Sequence, residues 1–65
     1  MNLKLLVNTR KKMGLTQKMI SDAMGYTRQC LQAKETGKCK FTFKDIQMLR
    51  EILLLTNDEI VEIFL

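Results

Sequence analysis

The apolar positions of this chain recur in steps of three and four, and one local arrangement appears four times. Leu15-Thr16 is followed by Ile20, Tyr26-Thr27 by Leu31, Phe41-Thr42 by Ile46, and Leu55-Thr56 by Ile60. A threonine so placed serves as an N-cap, its side-chain oxygen accepting from a backbone N–H of the first helical turn. The apolar residue before it packs on the one four positions after it, a hydrophobic staple. Two of the threonines also have an acid three residues on, Asp45 and Glu59, which approximates or completes a capping box. A further helix precedes these four. Leu3, Leu6, Val7 and Arg10 share one stripe at helical spacing, and Gly14 is a natural stop.

The pattern predicts an all-α protein with helices over residues 2–13, 17–24, 28–36, 43–54 and 57–64. The connections are short, so the five helices should form one compact bundle, a single domain over residues 1–65. Gly25 and Gly37 supply the left-handed conformations that end the second and third helices. The fourth helix has no glycine at its end, and Leu53-Leu54-Leu55 marks its boundary least sharply. The expected core is Leu6, Val7, Leu15, Ile20, Met24, Leu31, Phe43, Ile46, Leu49, Leu53 and Ile60. The five methionines read as filler.

Composition narrows the function classes. No apolar run exceeds four residues, so no helix of the chain should span a membrane, and Leu5-Leu6-Val7 is too short for a signal-peptide core. The expectation is a soluble, cytoplasmic protein that does not engage a membrane. Cys30 and Cys39 are expected as free thiols. Without histidine, two cysteines cannot complete a Cys/His zinc site, and a nucleophilic thiol lacks its usual imidazole. No carboxylate pair or phosphate-cradling glycine loop suggests an enzyme, so neither a catalytic residue, a metal nor a cofactor is expected.

Charge is distributed unevenly. Residues 1–44 hold ten lysines and arginines against two acids, whereas residues 45–65 hold one arginine against five acids. A merely soluble surface intersperses its signs. A basic first part points instead to a polyanionic partner. RNA recognition generally uses stacking aromatics, and the few aromatics here read as core.

The helices over 17–24 and 28–36 are joined by Gly25-Tyr26-Thr27, the length and composition of a helix-turn-helix. Counted from Gln17, apolar residues fall at the fourth, eighth, tenth and fifteenth positions (Ile20, Met24, Tyr26, Leu31), with small Ser21 at the fifth. The segment LTQKMISDAMGYTRQCLQAKETGK resembles the phage repressor and Cro family, more widely the XRE-type helix-turn-helix transcriptional regulators. Leu15-Thr16-Gln17, Gly25, Thr27-Arg28 and Glu35-Thr36-Gly37-Lys38 carry the likeness. It extends through Phe41-Thr42-Phe43 to Asp58-Glu59-Ile60.

The resemblance implies a lambda-repressor-like DNA-binding domain whose second motif helix lies in the DNA major groove. Arg28, Gln29, Gln32 and Ala33 on the outer face of that helix are then the base-reading set. Arginine pairs bidentately with guanine, glutamine with adenine, and an alanine methyl meets the thymine methyl. Phosphate contacts are expected from Thr16 and Gln17 at the start of the second helix, with Gln17 placed there by the resemblance. A second clamp is expected from Lys38 and Lys40 in the loop and from Thr42, Phe43 and Lys44 at the start of the fourth helix. The resemblance also pairs Arg10 with Glu35 in a partly buried salt bridge. At Lys34 the chain departs from the family pattern, which usually has an apolar residue there. The expectation is a snorkelling lysine, its stem on the core and its ammonium reaching solvent or phosphate.

The last helix has few polar gaps, and Val61, Phe64 and Leu65 are expected to form a dimer or partner interface. Two function classes follow. The first is a sequence-specific regulator of transcription, a Cro-like repressor binding double-stranded DNA as a homodimer on paired half-sites in a bacterial cell or phage-infected host. The second is a protein-binding modulator, antirepressor or antitoxin on the same fold, engaging a heterologous repressor or toxin.

Overall fold

Asn2 and four threonines start the five helices of the chain. The computed structural model describes residues 1–65 and contains α1 (Leu3–Lys12), α2 (Gln17–Met24), α3 (Arg28–Glu35), α4 (Phe43–Ile52) and α5 (Asn57–Phe64), with no strand. Thr16, Thr27, Thr42 and Thr56 each accept the backbone N–H three residues on, from Met19, Cys30, Asp45 and Glu59. Asp45 and Glu59 return the bond to the threonine N–H and close two capping boxes. At α2 the Met19 sulfur takes that part.

Every helix–helix connection uses one stop signal. A residue with positive φ follows the helix, and the next N–H reaches back five residues to a carbonyl, as in a Schellman turn. These bonds are Leu15 to Arg10, Tyr26 to Ser21, Lys38 to Ala33 and Leu55 to Arg50. The positive-φ residues are Gly14, Gly25, Gly37 and Leu54. Three of the turns read as this residue, an apolar residue and the next N-cap threonine: Gly14-Leu15-Thr16, Gly25-Tyr26-Thr27 and Leu54-Leu55-Thr56.

Leu54 therefore ends α4 at Ile52, two residues before the expected boundary. The apolar run 52–55 hid this stop because a leucine occupies the place where the other turns use glycine. The remaining boundaries agree with the pattern to within one residue.

The helices close on a core of Leu6, Ile20, Met24, Leu31, Phe41, Leu49, Leu53, Leu55, Ile63 and Phe64. Within it, α3 packs on α1 and α2, α4 on α2 and α5, and α5 on α1. The Asn2 N–H donates to the Ile63 carbonyl and ties the chain's two ends together. Leu15, Ile46 and Ile60 pack on the margin of the core, and Val7 is only partly buried.

Phe43, expected in the core, is 76% exposed. It precedes Asp45 by two residues, about 200° of helical rotation, and Asp45 and Leu49 form the inward side of α4. Phe41, one residue before the cap, fills the core instead and meets Phe64 edge to face at 5.7 Å between ring centres. Phe64 is thus buried inside the domain and not on the expected interface. Val61 and Leu65 remain on the surface. No helix is long and apolar enough to cross a membrane.

Candidate nucleic-acid interface

The outward side of α3 carries Arg28, Gln29 and Gln32, all exposed, and the half-buried Ala33. Leu31 points the other way and is buried. The helix cannot roll about this anchor, because its last turn is fastened by two consecutive ionic residues, Glu35 and Lys34.

Glu35 accepts from Arg10 of α1, Nε to Oε2 at 2.9 Å and a guanidinium NH2 nitrogen to Oε1 at 3.3 Å. The other terminal nitrogen of Arg10 donates to the Leu15 carbonyl at 2.9 Å. Both partners of the ion pair are buried. Gln17 joins them, its Nε2 donating to Glu35 Oε1 at 2.9 Å. One N–H of the Gln17 side-chain amide is therefore taken by Glu35, which leaves its second N–H at the start of α2. What the start of α2 leaves open is the Thr16 hydroxyl and the first-turn N–H groups of Gln17 and Lys18, since that of Met19 is capped.

Lys34 is buried, contrary to the snorkelling expectation. Its ammonium donates to Asp45 Oδ2 at 2.9 Å and to the Lys40 carbonyl at 3.0 Å. It also lies 5.3 Å from the Tyr26 ring centre and 5.8 Å from that of Phe41. Asp45 is fully buried and also accepts from the Tyr26 hydroxyl and the Thr42 N–H. No buried side-chain polar atom in the protein lacks a partner.

The cluster shifts its own members. Burial pushes the Asp45 carboxyl up, but the bonds from Tyr26, Thr42 and Lys34 outweigh burial and bring it down to about 2. The hydrogen bond to Asp45 raises the Lys34 ammonium, against the opposing effect of burial. The same carboxylate raises the Tyr26 phenol through their hydrogen bond. Sequence reading assigned Asp45 only to the cap. The available signal was an inward lysine at Lys34 and an acid on the inward side of another helix.

An open cleft at the start of α2 gathers Lys11, Lys18 and Arg28 around Thr16 and Gln17, with Arg10 behind them. Arg28 thus adjoins the proposed phosphate site as well as the outward side of α3. Neither Lys11 nor Lys18 was among the expected phosphate contacts: Lys11 precedes the motif segment, and Lys18 lies inside it at a position that carries none of the likeness. Lys18 is also near Asp22, in an exposed pair at 3.3 Å. On the other side of α3, Lys38, Lys40 and Lys44 are exposed in the loop and the first turn of α4. The N–H groups of Phe43 and Lys44 are first-turn groups ahead of the capped Asp45 N–H.

Cys30 is half-buried and Cys39 exposed, and they are not joined. No group of three or more Asp, Glu, Cys or His side chains is arranged to hold a metal ion. Comparisons with protein-family models, with curated proteins and with solved structures find no match to this chain.

Proposed function

We propose that the protein is a sequence-specific, double-stranded-DNA-binding regulator of transcription in which α2, the Gly25–Thr27 turn and α3 act as a helix-turn-helix. One observation carries the reading. The exposed Arg28, Gln29 and Gln32 side of α3 lies on a helix locked from behind by buried ion pairs, with basic helix starts on both sides. Arginine and glutamine match guanine and adenine edges in the major groove. The Thr16 hydroxyl with the free N–H groups of α2, and the Lys38, Lys40, Thr42, Phe43 and Lys44 segment, grip phosphate on either side. Ala33, half-buried, contributes a methyl at most at the rim of the groove. Two copies on paired half-sites make a Cro-like or repressor-like complex in the bacterial cytoplasm.

The test is affinity for duplex DNA as a function of salt. A dimer with about 6–10 phosphate contacts loses roughly 10³–10⁵ in affinity between about 50 and 200 mM salt. A flat response from folded protein contradicts the reading.

A second reading is favoured by a different observation. Leu54, Val61 and Leu65 are exposed apolar residues in and around α5, near the exposed acids Asp58 and Glu62. On this reading the protein acts as a modulator, antirepressor or antitoxin by engaging another protein through that side. A stable heterocomplex, with negligible affinity for duplex DNA, identifies it.

A further inference from the structure

Lys34 and Glu35 are neighbours in the last turn of α3, and they reach different elements. Glu35 meets Arg10 of α1 and Gln17 at the start of α2. Lys34 meets Asp45 in the first turn of α4 and the backbone of Lys40 in the loop before it. Each of the two helix starts beside α3 therefore has a buried carboxylate behind it, and each carboxylate has a buried cation.

Apolar residues of similar size in place of both Lys34 and Asp45 would fill the same space without desolvating two charges, and such replacements of whole buried ion pairs are often neutral or stabilising. The lysine does two things that an apolar side chain cannot. It holds the middle of the 37–42 loop by a backbone carbonyl. The near end of that loop is held by the Lys38 and Cys39 N–H groups on the Ala33 carbonyl, and the far end by the Thr42 N–H on Asp45. It also places a positive charge against Asp45, the only acid in the first turn of α4. Left unpaired, that carboxylate would repel a phosphate approaching the Phe43 and Lys44 N–H groups.

We infer that Lys34 is a positioning residue for the second phosphate clamp: it fixes the loop bearing Lys38 and Lys40, and the start of α4, relative to the reading helix, and cancels the Asp45 charge beside them. The functional half of this inference rests on the DNA-reading proposal. The mechanical half concerns the free protein alone.

The double variant Lys34→Met/Asp45→Asn removes both charges together, so that neither is left buried and unpaired. In the free variant, backbone order at Lys40 should fall into the flexible range, S² below about 0.6, while α1–α3 keep wild-type values. Loop order equal to wild type overturns the mechanical half. On duplex DNA, the slope of log affinity against log salt should shrink by about one for each phosphate the clamp no longer grips, with base preference unchanged. A merely structural loss of stability would leave the slope of the folded fraction intact, so an unchanged slope overturns the functional half. If wild-type protein shows no salt-dependent duplex binding, the DNA-reading proposal falls. The relaxation data then still decide whether Lys34 holds the loop. Should the variant not fold, the wild-type ammonium answers the mechanical question. A Lys34 Nζ resonance protected from solvent and coupled to Asp45 supports the brace, and a freely exchanging one overturns it.

Discussion

The Asp45 carboxylate, fully buried, is shared by the Lys34 ammonium, the Tyr26 hydroxyl and the Thr42 N–H. Its pKa is held down at about 2 against an ordinary 3.8. A group depressed in the folded state stabilises above its unfolded pKa, and that stability disappears as pH falls through the folded value. The window is therefore about pH 4 down to pH 2, and the contribution is about 2 kcal/mol. Lys34 is raised above 10.5, so its contribution is complete below that pH and is lost as pH climbs through the raised value. Urea unfolding from pH 2 to 7 should show stability falling in the acid window, with a shallower fall in Asp45→Asn. Equal slopes in the two proteins would contradict the assignment. Lys34→Met alone leaves the carboxylate buried and unpaired and should cost about 3–5 kcal/mol, measured by the same titration at pH 7. Sequence pattern placed Asp45 correctly in the cap of α4 but missed its bond to Lys34, and it misjudged Lys34 itself. Lys34 lies on the inward stripe of α3, but its partner is eleven residues away on another helix, a relation that local spacing does not encode. That Gln17 starts a helix was legible, but the bond from its amide to Glu35, eighteen residues on, was not.

The helices themselves were legible from local chemistry. Thr16, Thr27, Thr42 and Thr56 start α2 to α5 because capping and stapling act over four or five residues, the range over which sequence is most informative. Gly14, Gly25 and Gly37 mark three stops. The fourth stop, Leu54, was obscured because a leucine has no conformational signature of a left-handed turn. Its φ of +53° carries strain that glycine lacks, and the side chain is 76% exposed. Leu54→Gly should relieve a penalty of roughly 1–2 kcal/mol while adding unfolded-state entropy of about 0.5–1 kcal/mol. The expected net gain is about 0.5–1 kcal/mol, a rise in Tm of about 2–8 °C for a chain this short. A lowered Tm would show that Leu54 contributes packing beyond this domain's exposed surface. Long-range pairing was the less legible part. Phe41 and Phe64 meet across more than twenty residues of sequence, a contact that no local spacing rule encodes.

At the scale of the molecule, two buried ion pairs remove Arg10, Glu35, Lys34 and Asp45 from the surface. Of the basic residues that remain, Lys11, Lys18 and Arg28 gather around the start of α2, and Lys38, Lys40 and Lys44 lie beside α4, while Lys4, Lys12 and Arg50 are exposed elsewhere. Exposed acids other than Asp22 lie in α4 and α5. Charge asymmetry was visible in the chain, but its arrangement around α3 depends on how the helices pack. The central claim is that the outward side of α3 reads bases. Selection of bound duplexes from a randomised pool at low salt, for wild type and Gln29→Ala in parallel, tests it most directly. Wild type should enrich a two-fold symmetric motif, and Gln29→Ala should relax preference at one position in each half-site by about 1–3 kcal/mol. No enrichment by folded wild-type protein, or an identical motif from both proteins, would contradict the account.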